Sequence, residues 1–144
     1  MQVSVLLQAK GSAVVTVQPD LATAAVVAVL AEHHIGAVVV SADGSHIDGV
    51  LSERDVVRAI AREGAGALDA PVQRWMTADV VTCQPDSTVE HLMTTMTDRR
   101  IRHVPVVVDG ALVGLVSIGD VVKDRISGLE AEKQVLHDYI AHPY

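Results

Sequence analysis

Residues 49–55, Gly-Val-Leu-Ser-Glu-Arg-Asp, return in the second half of the chain as residues 114–120, Gly-Leu-Val-Ser-Ile-Gly-Asp. In both copies an apolar, strand-like run carries a Gly three places before a Ser, and an Asp follows three places after that Ser. Asp55 and Asp120 are typical helix N-caps, because Asp at a helix start accepts hydrogen bonds from backbone N–H groups. A hydroxyl and a carboxylate at a strand-to-helix junction could instead hold the sugar and phosphate of a nucleotide. This stretch alone leaves both interpretations open.

The repeat extends well beyond this motif. Pro19 and Pro85 lie 66 residues apart, and after the loss of one residue in the second hairpin Asp55 and Asp120 lie 65 apart. Self-similarity at a fixed period indicates duplicated supersecondary units. We therefore predict an α/β (α+β) fold of two β-α-β-β-α copies. The predicted division is a first repeat with its lead-in at residues 1–66, a second repeat at 67–127, and a helical tail at 128–144.

The first copy reads as alternating β-branched runs and apolar helices. The predicted elements are a strand at 14–17, a helix at 21–34, strands at 37–40 and 47–51, and a helix at 55–63. Asp20 is the predicted cap of the first helix, which is apolar nearly all round and is therefore expected to be buried on more than one side. The second helix is expected to place Val56, Val57 and Ile60 on one face.

The second copy repeats this order, with a strand at 80–83, a helix opening at Ser87, strands at 104–108 and 111–116, and a helical region at 120–126. Ser87 and Glu90 have the spacing of a capping box. Gly128 is predicted to interrupt the last helical region, which resumes at residues 129–141. The lead-in at residues 1–13 reads as a short apolar helix.

The bulk composition of the 144 residues excludes several classes of function. A net charge of −7 argues against broad attraction to nucleic acid or to an anionic membrane, and one Trp with two Tyr provides no platform for stacking bases. No basic and apolar leader opens the chain, and the longest uncharged apolar run, residues 21–31, is too short to span a bilayer. These features favour a soluble cytoplasmic protein with an aliphatic core, since 49% of the residues are hydrophobic and Phe is absent.

Nothing in the sequence indicates catalysis. The seven His form no metal-ligand spacing, neither Ser of the repeated motif has a His arranged as a base, and neither a Walker loop nor a Gly-x-Gly-x-x-Gly is present. Cys83 is the only cysteine, so an internal disulfide and a Cys-x-x-Cys metal site are excluded. In an apolar strand-like run it reads as an inert core thiol. We therefore predict neither a resident metal nor an enzyme.

The duplication bears on the two interpretations of the motif. A cap alone would tolerate Ser, Thr or Asn in place of Asp, and we expect it to need neither the preceding Ser nor the Gly. Retention of all three in both copies favours a shared ligand-binding task, although a recent duplication would give the same result.

Three sequence patterns of the chain resemble those of a known family. The Gly-x-x-Ser-x-x-Asp signature, the Pro-Asp before the first helix of each copy, and Ile-x-x-Val-Pro-Val-Val at residues 101–107 resemble the cystathionine-β-synthase (CBS) domain. The chain, from roughly residue 10 to 125, resembles a stand-alone tandem CBS pair, or Bateman module. The resemblance implies two halves packed sheet to sheet about a pseudo-two-fold axis. It also implies clefts that bind adenosine ligands, with AMP, ADP or ATP favoured over NAD or S-adenosylmethionine.

Carried over by motif, Asp55 and Asp120 would accept hydrogen bonds from ribose hydroxyls, which a carboxylate can take in pairs. Ser52 and Ser117 would bind the α-phosphate or the ribose edge. The adenine would lie along the segments at 11–14 and 77–80, which contribute Val14 and Val80 among their aliphatic side chains.

The resemblance also implies phosphate ligands just before the Val-Pro-Val-Val strand. Arg102 and His103 stand there, and Lys10 and Arg54 are further candidates. The alternative is a solvated helix end, where cations are favourable in any case. Because the first copy has no Arg at this position, we expect two unequal sites.

The resulting prediction is a non-catalytic regulatory module that senses adenine nucleotide and signals through conformational or oligomeric change. The expected partners are a second copy, bound through the helices that start near Leu21 and Val89, and an unidentified effector protein. Residues 129–144 could pack on the module or extend an oligomer interface. The alternative is a structural or interaction protein that has this fold but no physiological nucleotide.

Overall fold

The computed structural model describes residues 1–141, so the last three residues of the predicted tail lie outside the described residues. Its helices and strands follow the duplicated order, and two short 3-10 helices at Gly64–Asp69 and Val72–Arg74 join the copies. They are α1 (Val3–Lys10), β1 (Thr16–Val17), α2 (Thr23–His33), β2 (Ala37–Val40), β3 (Gly49–Ser52), α3 (Glu53–Glu63), α4 (Val89–Arg99), β4 (His103–Val108), β5 (Ala111–Ser117) and α5 (Ile118–Ala141). The predicted mixed α/β fold of two related copies with a C-terminal helix is confirmed, although the first strand of the second copy is reduced to a single bridge at Cys83.

Each copy builds a small sheet around one fully buried strand segment. In the first copy, β2 pairs with β1 in parallel and with β3 antiparallel, and all four residues of β2 are buried. In the second copy β4 pairs antiparallel with β5. Small and β-branched residues fill these strands because both faces of the strand are covered.

The strand predicted at residues 80–83 is wrong. Only Cys83 pairs there, through a parallel bridge in which its N–H donates to the Pro105 carbonyl at 3.0 Å and its carbonyl accepts from Val107 at 2.9 Å. A few residues earlier, Thr77 exchanges two hydrogen bonds with Val50 of the first copy, at 2.9 and 3.0 Å. The segment therefore crosses from one copy to the other, and only Cys83 keeps the parallel pairing that Val17 of β1 makes with Val40 in the first copy.

The segment that precedes each copy, here called its leader, packs on the opposite copy. Helix α1, placed with the first repeat in the predicted division, buries Val3, Leu6 and Leu7 in the core of the second copy. The connection between the copies buries Val72 in the core of the first, with Trp75 and Met76 packed against it.

The hydrogen bonds that anchor these segments are reciprocal. The N–H groups of Val3 and Ser4 donate to the carbonyls of Ser87 and Pro85, both at 2.8 Å. The N–H groups of Val72 and Gln73 donate to the carbonyls at the equivalent positions of the first copy, Leu21 (2.8 Å) and Pro19 (3.0 Å). Each leader therefore makes equivalent hydrogen bonds to the opposite copy, as expected for two copies related by a pseudo-two-fold axis.

This exchange explains the glycine of the repeated motif. A Cβ on Gly49 would lie 2.6 Å from Sδ of Met76, and a Cβ on Gly114 would lie 2.8 Å from Cδ1 of Leu7. Both distances are shorter than real Cβ contacts allow, so each glycine admits the leader of the opposite copy. Retention of this Gly in both copies therefore has a packing cause.

The helix starts differ from the predicted ones. Ser52, not Asp55, is the N-cap of α3, and Asp55 is the third helical residue of a capping box. The predicted caps Asp20 and Ser87 are also wrong, because α2 begins after Ala22 and α4 after Thr88, whose hydroxyl accepts from His91 N–H at 3.1 Å. The N-cap Ala22 of α2 has no capping side chain, and at the first helical residue both the N–H and the hydroxyl of Thr23 donate to the Ala70 carbonyl.

Two predicted helix faces need correction. Val57 is 65% exposed, and α3 instead buries Val56 and Ala59, which are three residues apart and share a face. Helix α2 buries only one side, with Val26 and Leu30, and leaves Val27 on an exposed apolar face.

Helix α5 is continuous, so the predicted interruption at Gly128 is wrong. Glycine in a helix interior is unfavourable by only about 0.5–1 kcal/mol relative to Ala, which does not end a helix whose neighbours form it readily. Val121 is buried against the second copy, whereas every residue from Arg125 to Ala141 is exposed. Among the described residues, no helix is long and apolar enough to cross a membrane.

Candidate functional site

A cleft of about 250 Å³ opens between the two copies. The strand-to-helix junction of the first copy forms one wall, the crossing segment after Thr77 forms the floor, and the turn before β4 forms the other wall. The lining residues are Gly36, Val50, Ser52, Glu53, Arg54, Asp55, Arg58, Thr77, Asp79, Val80, Val81, Arg100, Ile101, Arg102 and His103. Neither copy could form the cleft alone.

Ser52 and Asp55 hold each other in place at this junction. The Ser52 N–H and hydroxyl both donate to Asp55 Oδ2, at 2.9 and 3.1 Å, and Ser52 Oγ accepts from the Asp55 N–H at 3.3 Å. Within residues 1–141, Oδ1 of Asp55 accepts no hydrogen bond. The capping box therefore uses one carboxylate oxygen and leaves the other available beside the cleft.

The basic residues of the cleft come from both copies. Arg102 and His103 lie here, in the cleft of Asp55, together with the candidate Arg54. Arg58 and Arg100 also line the cleft. Arg58 was missed from the sequence, but it could have been found, because it follows Asp55 by three residues on the same helix and so shares its face. From the sequence, Arg100 is favoured as a solvated helix end, and the left-handed conformation (φ 54°) in which it ends α4 places it in the cleft lining.

His103 contacts the opposite copy directly. A Cβ on Gly36 would lie 3.4 Å from His103 Cε1 and 3.1 Å from Glu53 Oε1, so the glycine makes room for both side chains. Burial lowers the pKa of His103, although the nearby carboxylates of Glu53 and Asp120 act in the opposite direction. The imidazole is therefore mainly neutral at pH 7 in the absence of a bound anion.

The second motif has the same internal geometry but a different neighbour. Ser117 N–H donates to Asp120 Oδ2 at 2.8 Å, and Asp120 N–H donates to Ser117 Oγ at 3.2 Å. The Lys10 ammonium donates to the same Oδ2 at 2.5 Å and to the Leu115 carbonyl at 2.6 Å. Burial acts to raise the pKa of Asp120, but the bonds from Lys10 and Ser117 outweigh it and hold the pKa below its ordinary value.

The candidate residues therefore divide between two places. Ser52, Asp55, Arg54, Val80, Arg102 and His103 surround the cleft, whereas Lys10, Ser117 and Asp120 cluster at the second motif. Val14 does not line the cleft; it lies half-buried in the segment before β1.

The chemistry available in the cleft is that of binding. Forked guanidinium donors suit phosphate oxygens, a free carboxylate oxygen suits hydroxyl donors, and Val50, Val80 and Val81 offer an apolar surface for a flat ring. Among residues 1–141, no group of three or more His, Cys, Asp or Glu side chains could hold a metal ion. Cys83 is buried, which raises the pKa of its thiol to about 11.

Comparison with known proteins agrees with this geometry. The CBS domain model matches residues 11–62 and 72–126, which contain both repeated motifs. The chain belongs to the CBS domain family. The two matches make it a CBS pair, as the sequence resemblance implied.

The CBS pair is similar to proteins from plants and bacteria. It is 37% identical over 119 residues to the mitochondrial CBS domain-containing protein CBSX3 of Arabidopsis thaliana, covering 80% of this chain but only 58% of that protein. It is 28% identical over 118 residues to the CBS domain-containing protein YhcV of Bacillus subtilis, covering 82% and 83% of the two chains. The crystal structure of a CBS-domain containing protein from Agrobacterium tumefaciens matches with a TM-score of 0.84 and 49% identity, covering 87% of this chain and 99% of that one.

Proposed function

We propose that this CBS pair is a non-catalytic regulatory module that binds an adenine nucleotide of the AMP, ADP or ATP class in the Asp55 cleft. The observation that carries the proposal is the convergence of Ser52 and Asp55 from one copy with Arg102 and His103 from the other on a single cavity. A nucleotide carries groups that match this cavity, namely an apolar ring, a vicinal diol and an anionic phosphate.

The shape of the cleft favours a mononucleotide. Ligand sites in proteins usually enclose roughly 300–1,000 Å³, and the cleft, at about 250 Å³, lies just below that range. A nucleoside fills such a volume and leaves the terminal phosphates near the cleft mouth, where Arg102 is exposed. A dinucleotide such as NAD would leave one half outside, and a sulfonium group would meet several arginines.

Each residue has a proposed role. Asp55 Oδ1 accepts from the ribose hydroxyls, and Ser52 binds the ribose edge or the α-phosphate. The ring lies against Val50 and Val80, and the phosphates meet Arg102, with His103 beside them. Arg54, Arg58 and Arg100 supply the remaining positive charge around the cleft.

Adenosine ligands are known in this fold. The CBS pair of a protein designated MJ0100 has been crystallised in complex with 5′-methylthioadenosine and S-adenosyl-L-methionine. It is 22–23% identical to this chain, so the likeness concerns the fold alone. It supports an adenosine-type ligand class for the cleft and leaves the nucleotide to be decided by the arginines of this chain.

We further propose that the second motif is the weaker site. Lys10 already satisfies Asp120 at 2.5 Å, so a ribose there would have to displace a charge-assisted hydrogen bond. Lys10 remains a phosphate ligand for that site only if the nucleotide draws it away from the carboxylate. Unequal occupancy, with the Asp55 cleft filled first, follows from this difference.

Isothermal titration calorimetry with AMP, ADP, ATP, NAD and S-adenosylmethionine tests the proposal. Arg102→Gln should weaken AMP by about tenfold or more, because a hydrogen bond to a charged group contributes about 1.5–3 kcal/mol. It should leave adenosine binding unchanged, since adenosine has no phosphate. Arg99→Gln is the matched control, because Arg99, the last residue of α4, precedes Arg102 by only three residues and does not line the cleft. Asp55→Asn should weaken both AMP and adenosine.

Absence of binding for every ligand of the panel would reject the proposal. In a thermal-shift format, a ligand at 100 times its dissociation constant stabilises by about 2.7 kcal/mol, which is readily detected. A negative panel would favour the alternative of a CBS-fold interaction protein without a nucleotide.

The output of such a module requires a partner. A nucleotide that contacts both copies binds best to one relative arrangement of them and so shifts the population toward it. We propose that a homodimer or an effector protein detects this shift on the outer face of α2, whose Ala24, Val27, Ala28 and Ala31 are exposed. Helix α4 is less suited to this role, since its apolar residues Val89, Leu92 and Met96 are buried in its own core.

A further inference from the structure

Helix α5 continues far beyond the CBS pair. The family match ends at residue 126, yet the helix runs to Ala141 with every residue from Arg125 onward exposed. Several of these exposed residues are large and apolar, including Leu136 at 62% and Ile140 at 77%. An unpaired helix of this kind exposes a patch of apolar surface to water, and such patches mark interaction sites.

Most of the large exposed apolar residues of α5 follow a heptad pattern, and only Val135 and Tyr139 lie outside it. Intervals of four, three, four, three and four residues separate the seam positions, which are Val122, Ile126, Leu129, Lys133, Leu136 and Ile140. In heptad notation, a positions are Ile126, Lys133 and Ile140, and d positions are Val122, Leu129 and Leu136. From Val122 to Ile140 the seam extends for about 27 Å at 1.5 Å per residue.

The identity of the seam residues selects a two-stranded, parallel arrangement. β-Branched Ile at a with Leu at d favours two parallel strands, and one polar residue at an a position sets register and strand number. Lys133 is that residue. The outer b and f positions include Gln134 and Asp138, which are hydrogen-bonded to each other at 2.8 Å on the side away from the seam.

The charges beside the seam specify the orientation. In a parallel pair, a g residue meets the e residue five places later on the other strand, so Arg125 meets the partner's Glu130, and Glu132 meets the partner's His137. Neither Arg125 nor Glu130 forms a salt bridge within the described chain. An antiparallel pair that overlapped the same seam would place Glu130 opposite Glu130 and Glu132 opposite Glu132, which is repulsive.

We propose that the exposed part of α5 binds a second copy of this chain as a parallel two-stranded coiled coil. This association is separate from nucleotide binding and from the α2 face. It would hold two CBS pairs side by side, with their clefts outside the coiled coil.

Cysteine cross-linking on the full chain tests both contact and orientation. Leu129→Cys places a thiol at a d position. In the parallel coiled coil this thiol faces the thiol at position 129 of the second copy of this chain, whereas in an antiparallel coiled coil it faces Lys133 of the second copy of this chain. Val135→Cys is the control, because Val135 is more exposed than Leu129, at 67% against 47%, but lies at the outer c position. The native Cys83 is buried and serves as an internal blank. Under mild oxidation we expect disulfide-linked dimer from Leu129→Cys at least about tenfold faster than from Val135→Cys, as a d–d′ contact requires.

A second substitution links the cross-link to the seam. Added to Leu129→Cys, Leu136→Lys should lower the rate of disulfide formation by about tenfold or more, because a charge replaces a buried d residue. Val135→Lys, one residue earlier, should leave the rate unchanged. The comparison is independent of any dimer formed through α2, which would not bring the two residues at position 129 together.

Two results would overturn the proposal. Equal, slow cross-linking of Leu129→Cys and Val135→Cys would mean that no parallel seam forms between copies of this chain. Rapid cross-linking that survives Leu136→Lys would mean that residue 129 is brought to its copy by some other surface. Either result leaves the nucleotide proposal intact, since the cleft lies in the CBS pair.

Discussion

Gly49→Ala is the substitution that most directly tests the exchange of leader segments between the copies. The new Cβ would lie 2.6 Å from Met76 Sδ and 2.8 Å from the Thr77 carbonyl oxygen. Met76 has a flexible side chain and can move, but Thr77 is bonded to Val50 in both directions at 2.9 and 3.0 Å. The backbone of the crossing segment must therefore shift for Ala to fit.

The expected loss follows from these contacts. Overpacking a close-packed site costs about 1–3 kcal/mol, and weakening the two Val50–Thr77 bonds costs on the order of 1 kcal/mol more. The smaller conformational entropy of Ala in the unfolded chain returns about 0.4–1 kcal/mol. The net destabilisation should be about 2 kcal/mol, or a fall in Tm of about 4–8 °C for a chain of this size.

Urea unfolding followed by circular dichroism measures this effect, with two matched variants. Gly114→Ala meets only the Leu7 side chain, at 2.8 and 2.9 Å, so it should cost less, about 1 kcal/mol. Gly128→Ala meets nothing within 4 Å in a helix interior and should stabilise by about 0.5–1 kcal/mol. A Gly49→Ala protein as stable as the native one, with the same m-value, would refute the packing account of the motif glycine.

Three further predictions concern titratable groups. Lys10→Met should raise the pKa of Asp120 and lower the unfolding free energy at pH 7 by about 1 kcal/mol. The pKa of Asp120 in the folded protein lies below the ordinary 3.8, so the stability that the native protein gains over the variant is complete above pH 3.8 and is lost as the pH falls further. An equal difference in unfolding free energy between the two proteins at pH 7 and pH 2.5 would contradict this account. On AMP binding at pH 6.5 His103 should take up protons, because a phosphate beside it opposes the burial that lowers its pKa. Calorimetry in two buffers should therefore show less net proton uptake with His103→Asn than with the native protein, and an equal value would remove His103 from the site. Cys83, with a pKa of about 11, should react with a thiol reagent about a hundredfold more slowly in the native than in the unfolded protein, and comparable rates would show that the thiol is accessible.

Most of the fold was readable from local patterns. β-Branched runs such as residues 37–40, the Asp-Gly turns and the constant offset between the copies are short-range features, and they predicted the β-α-β-β-α unit and its duplication. The exchange of leaders was not readable, because it depends on contacts between residues far apart in sequence. For the same reason the strand predicted at residues 80–83 failed, since Thr77 is drawn to Val50 of the other copy.

The candidate site was readable in its parts but not in its grouping. Ser52, Asp55, Arg102 and His103 were all predicted from the motif resemblance, and their convergence became visible only in the structure. Because the two copies are related by a pseudo-two-fold axis, the turn before β4 of the second copy lies across the cleft from the Ser52–Asp55 motif of the first copy. Arg102 therefore stands opposite Asp55, and Asp120 receives Lys10 instead.

On the sequence alone, the repeated Gly, Ser and Asp favour a shared ligand, but the structure gives each of them a structural role. Gly49 admits Met76, Ser52 caps α3, and Asp55 completes the capping box. Retention of these residues in both copies therefore does not require a ligand, and the case for one depends on what the scaffold does not explain. A capping box accounts for Oδ2 of Asp55 but not for the arginines gathered around the same cleft.

Those arginines concentrate positive charge that a bound anion would offset. Arg54, Arg58, Arg100 and Arg102 line a single small cleft, with no salt bridge to any of them within residues 1–141. Glu53, Asp55 and Asp79 line the same cleft and offset part of this positive charge. An anion bound between the arginines would offset the remainder and so favour the arrangement in which the two copies approach. A nucleotide would act on the contact between the copies through this term, since its phosphates draw Arg102 of one copy toward Asp55 and Arg58 of the other. Binding and inter-repeat geometry would thereby be coupled in the cleft itself, which is the property that the proposed regulatory module requires.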